Sequence, residues 1–96
     1  MKTPEDCHNI QDIRDAIDFI DSEIIEKFGA RLAYVKAAAQ FKKNTAEVKA
    51  KSRFDSMIKQ RRVWAENNGL NPDVIEKLYQ DLVSYFIEEE LQNWKK

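Results

Sequence analysis

Cysteine and histidine occur once each, as Cys7 and His8. A disulfide within the chain is therefore excluded, and a Cys/His zinc site lacks its ligands. Two glycines and two prolines in 96 residues leave little turn chemistry, which favours long helices over many short strands. There is no Gly-rich phosphate loop, no dinucleotide fingerprint and no plausible nucleophile triad, so those mechanisms lack their parts. No run of about 18 apolar residues occurs, and MKTPEDC places acids at the start with no apolar stretch behind them. The expected compartment is the cytoplasm, with no membrane partner. A net charge of −1 argues against a general nucleic-acid binder.

What is present is a helical pattern carrying misplaced cations. Ile10, Ile13, Ile17, Ile20, Ile24, Phe28 and Val35 recur three and four apart, and at 100° per residue Arg31 and Lys42 fall on the same stripe, with Arg14 at its edge. A cation on an apolar face needs an anion, so a small anionic ligand is the natural partner. Residues 31 to 62 hold ten Lys/Arg against Glu47 and Asp55, a local balance of +8 that leaves −9 for the remainder.

Three helices account for nearly all of a single domain, residues 1–96. The first runs from an Asn9 cap, with Asp12 three residues on, to about Phe41. At roughly 48 Å it is longer than a compact chain of this size is wide, and it requires a partner chain to cover it. A chain this short cannot bury a large core alone, which again points to self-association. Residues 43 to 50, rich in Lys, Ala and Thr, read as a mobile loop. A second helix spans about Lys51 to Asn67, with Phe54, Met57, Ile58 and Trp64 inward, and ends at Asn68-Gly69. The third starts at an Asn71 cap with Pro72 in the first turn and carries Val74, Leu78, Leu82, Tyr85 and Phe86 on one face down to Trp94. Glu90 falls on that apolar side, four residues from Phe86 and Trp94, whereas Glu88 points to solvent. Apolar neighbours disfavour a charged carboxyl, which makes Glu90 a candidate hydrogen-bond donor. Long cations with one such donor suit a polycarboxylate whose reaction develops negative charge on an oxygen.

Taken in register, these residues resemble the all-helical chorismate mutase family, and within it the isochorismate pyruvate lyase branch, the salicylate-forming enzymes of siderophore pathways. The resemblance rests on the MKTPEDC start, Ile13-Arg14, Ala16-Ile17-Asp18, Ile20-Asp21, Tyr34-Val35-Lys36-Ala37-Ala38 and Phe41-Lys42. It continues through Arg53, Met57, Trp64-Ala65-Glu66, Asn68-Gly69-Leu70 and Ile87 to Trp94. It implies the chorismate mutase type II fold, an all-α homodimer of intertwined three-helix chains whose active sites are shared between protomers. Arg14 would enter from the other protomer, Arg31 and Arg53 would hold the substrate carboxylates, and Lys42 and Glu90 would bind the ether oxygen of the breaking bond. Val35, Met57 and Ile87 would form apolar walls.

The reaction implied is cleavage of isochorismate to salicylate and pyruvate, with weak rearrangement of chorismate to prephenate and no cofactor. A dedicated chorismate mutase and a non-catalytic helical dimerisation or regulatory module are the alternatives. Two features depart from the lyase pattern. Residue 90 is commonly Gln in bacterial members, whereas Glu90 resembles the eukaryotic mutases, and the segment from Lys43 to Lys51 lacks the prolines of the lyase lid.

Overall fold

The computed structural model describes residues 2–94. Four α-helices follow in order: α1 (Ile10–Ala38), α2 (Thr45–Lys49), α3 (Lys51–Asn67) and α4 (Pro72–Trp94). Single 3-10 turns lie at Pro4–Asp6 and Ala39–Phe41, and no strand occurs among the described residues. None of these helices is long and apolar enough to cross a membrane. The chain divides into two compact units, Met1–Ala33 and Tyr34–Lys96.

The first unit is fastened at its start by side chains. Asn9 Oδ1 accepts the Asp12 N–H at 2.8 Å, and Asp12 Oδ2 accepts the His8 N–H and the Lys2 ammonium, each at 3.0 Å. That reciprocal arrangement satisfies donors that a helix start leaves open. The His8 N–H, then the Lys2 ammonium, hold the Asp12 carboxyl below the usual carboxylate range. No residue of α1 is buried; Ile10, Ile17, Phe19, Ile20, Ile24 and Ile25 all stand exposed.

The second unit has its own core. Ala39, Val48, Met57, Ile58, Ala65 and Phe86 are buried there, where α3, α2 and the Ala39–Phe41 turn each pack on α4. Helix α3 ends as its sequence requires. The Gly69 N–H reaches Glu66 O and the Leu70 N–H reaches Ala65 O at 2.8 Å, with Gly69 at φ +74°, the left-handed conformation that glycine adopts without a Cβ penalty. Asn71 Oδ1 then accepts the Asp73 N–H across Pro72 at 2.8 Å and starts α4. Arg62 closes this corner, with Nη1 at 2.9 Å from both Asp73 and Glu76. Those two acids, Asp73 first, raise its guanidinium above the ordinary value.

Three expectations need correction. Residues 43 to 50 are not simply a loop, because Asn44 caps one helical turn, α2, that Ala50 terminates. Helix α1 stops at Ala38, so Lys42 is not the next point on its stripe; its backbone is extended, with φ −94° and ψ 136°. Trp64 does not turn inward but is 48% exposed, with the Arg61 guanidinium 4.7 Å above its ring. The cation covers one aromatic face without burying it.

Ala50 takes φ +42° between α2 and α3, a conformation that costs an L-residue roughly 1–2 kcal/mol. Branching at Cβ makes it worse. Ala50→Val is therefore expected to lower the urea unfolding free energy by about 1 kcal/mol or more, whereas unchanged stability would mean that the α2–α3 junction relaxes freely.

Candidate active site

Lys42 leaves the end of the Ala39–Phe41 turn with every polar group of its own engaged. Its N–H donates to Ala39 O at 3.1 Å, and its carbonyl accepts the Trp94 indole N–H at 3.0 Å. Its ammonium donates to Glu47 O at 3.0 Å and lies 3.3 Å from Glu90 Oε2. The side chain thus leaves the backbone at a fixed point, held from α4 by Trp94 and from α2 by Glu47.

Glu90 is the one buried charged residue among those described, 5% exposed. Its place follows from helical spacing: on α4 it shares a face with buried Phe86, four residues earlier, while Glu88 stands exposed. The pair with Lys42 is close but poorly aligned, and Oε2 accepts no hydrogen bond. Such an atom in a dry site carries the desolvation penalty of an unmade bond. The preceding residue, Glu89, forms a looser pair with Lys36 at 3.7 Å, and Asn93 donates to Lys36 O at 3.0 Å.

An open depression of about 660 Å³ lies beside this pair, lined by Lys42, Asn44, Ala46, Glu47, Ala50, Lys51, Ser52 and Arg53. Three cations against one acid give its wall a positive balance, suited to a small polyanion. Arg53 is exposed on the first turn of α3, so its long side chain can reach across the opening.

Of the residues singled out from sequence, Lys42, Arg53 and Glu90 meet around this depression and its flank. Met57 is buried at 4% exposure and Val35 is half-buried. Ile87 lines a neighbouring depression of about 270 Å³ with Phe54, Gln80, Val83, Ser84, Lys49 and Lys51. Arg14, exposed, and Arg31, half-buried, both lie in the first unit. Sequence reasoning missed Asn44 and Glu47, although Asn-x-x-Glu is a readable capping signature. It also treated Trp94 as packing alone and did not foresee its hydrogen bond to Lys42.

The chain belongs to the chorismate mutase type II family, whose profile matches residues 13–91. It is 43% identical over 95 residues to the isochorismate pyruvate lyase of Pseudomonas aeruginosa, an alignment covering 99% of this chain and 94% of that protein. It is also 32% identical over 85 residues to the T-protein of Haemophilus influenzae, covering 88% of this chain but 22% of that protein.

Proposed function

We propose that this protein is an isochorismate pyruvate lyase, cleaving isochorismate to salicylate and pyruvate, with weak chorismate mutase activity. The observation that carries the lyase reading is the 43% identity over nearly the full chain to a lyase. The buried Glu90 carboxyl, 3.3 Å from the Lys42 ammonium beside a basic opening, supports chemistry at an ether oxygen, which both the lyase and the mutase reactions require. In the reaction the ether C–O bond breaks while a ring hydrogen passes to the methylene carbon of the departing enolpyruvyl group. The ring becomes aromatic and the fragment leaves as pyruvate, so no redox cofactor or metal is needed to balance the step.

Each side chain then has a task. Charge develops on the ether oxygen as the bond breaks, and the Lys42 ammonium meets it there. Glu90, when protonated, donates to the same oxygen. Arg53 and Arg31 hold the two carboxylates, and Arg14 reaches the site of the other protomer in a homodimer. Val35, Met57 and Ile87 hold the substrate in its reactive shape. The exposed isoleucines of α1 support self-association, since an apolar row of that length is uncommon on a monomer.

A dedicated mutase, converting chorismate to prephenate, is the second reading, favoured by the acid at position 90 where the lyase pattern has an amide. Purified protein incubated with isochorismate and with chorismate, near about pH 5 and about pH 7.5, separates the two. Rapid salicylate fluorescence with slow loss of chorismate absorbance is expected. Fast chorismate loss without salicylate would establish the mutase, and silence on both substrates would reject catalysis in favour of a binding module.

A further inference from the structure

The segment that follows Lys42 is built around two side chains with no assigned role. Asn44 Oδ1 accepts the Glu47 N–H at 2.9 Å, and Glu47 Oε2 accepts the Lys43 N–H at 2.7 Å. This is a reciprocal capping box closed around α2. A five-residue helix has no stability of its own, so the turn persists through that box and through Val48, 2% exposed beneath it. The same turn presents the Glu47 carbonyl to the Lys42 ammonium at 3.0 Å. Two anchors therefore fix the ammonium: the Glu47 carbonyl from α2 and the Glu90 carboxyl from α4.

We infer that Asn44 and Glu47 are positioning residues, whose capping box holds the turn that aims the Lys42 ammonium at the reacting oxygen. The inference rests on the catalytic role proposed for Lys42. It also gives the segment a source of order in place of proline: side-chain caps fix the backbone where no ring restricts φ. Without the Asn44 acceptor the turn unwinds more often, the Glu47 carbonyl moves, and the ammonium loses one of its two anchors.

Asn44→Ala is expected to lower kcat about five- to tenfold, with a smaller change in KM. Asn44→Ser, which keeps an oxygen acceptor, is expected to retain kcat within about twofold. In a Lys42→Ala background the Asn44→Ala change is expected to cost nothing further, because the group it positions is gone. An equal loss in both backgrounds would mean a general structural role and overturn the inference. A readout independent of turnover is the ammonium nitrogen resonance of Lys42, assigned by its disappearance in Lys42→Ala. It is expected to shift in Asn44→Ala while that of Lys36, paired with Glu89, stays in place. An unmoved Lys42 resonance or an unchanged kcat overturns the assignment. If the wild-type protein turns over neither isochorismate nor chorismate, the lyase and mutase readings fail together, and the resonance alone decides whether the box positions Lys42.

Discussion

Lys42→Ala is expected to lower kcat by about a hundredfold or more, since in the proposed mechanism its ammonium meets a developing oxyanion in a partly dry site, and such a contact contributes at least that much. The loss belongs mainly to kcat, because the ether oxygen carries little charge until its bond stretches. Stability changes too, and must be separated from chemistry. Removing the cation leaves Glu90, 5% exposed, without its ion partner, a cost of about 1–3 kcal/mol. The double variant Lys42→Ala/Glu90→Gln removes the stranded charge and is expected to recover much of the urea unfolding free energy without recovering turnover. Near-normal kcat in Lys42→Ala would remove Lys42 from the mechanism.

Helix boundaries set by capping chemistry were legible in the sequence. Lys51 to Asn67 and Pro72 to Trp94 emerge as α3 and α4, because Asn68-Gly69 and Asn71-Pro72 are local signals that need no tertiary information. Glu90 was legible for a related reason: helical spacing alone separates it from Glu88, and the two differ in burial as that spacing requires. The Lys42–Glu90 proximity arises by a different route from the one periodicity gives. Periodicity extrapolates a helix that in fact ends at Ala38, and the ammonium reaches Glu90 from extended backbone instead.

The apolar pattern fixes a face but not what covers it. Val74, Leu78 and Tyr85 on α4 stay exposed, as do Ile10, Ile17, Ile20, Ile24 and Ile25 of α1, the helix whose length calls for a partner chain. Helix α2 was hidden for the opposite reason. Its apolar content is too low for a periodic signal, and its existence depends on Asn44, Glu47 and a left-handed Ala50, two of which form a capping box. A search for caps, rather than for stripes, finds it.

Glu90→Gln is expected to flatten the pH dependence of kcat. In the proposed mechanism a carboxyl donates to the ether oxygen only while protonated, so wild-type kcat is expected to favour the acid side. The charged partner of this carboxyl is Lys42 at 3.3 Å, and the preceding residue, Glu89, pairs with Lys36 at 3.7 Å. In the unliganded chain Lys42 and Glu90 engage each other, and an oxygen that accepts from both must part them. An amide at position 90 donates at every pH and holds the ammonium less strongly, so the variant's turnover is expected to vary less with pH. Its acid-side activity stays near that of wild type. The same substitution removes a buried charge with an unsatisfied oxygen, so the fold is not expected to weaken. Profiles of kcat for both proteins across the acid-to-neutral range decide the matter. Curves of the same shape would mean that Glu90 acts only as the anion that orients Lys42, and that the donor to the breaking bond lies elsewhere.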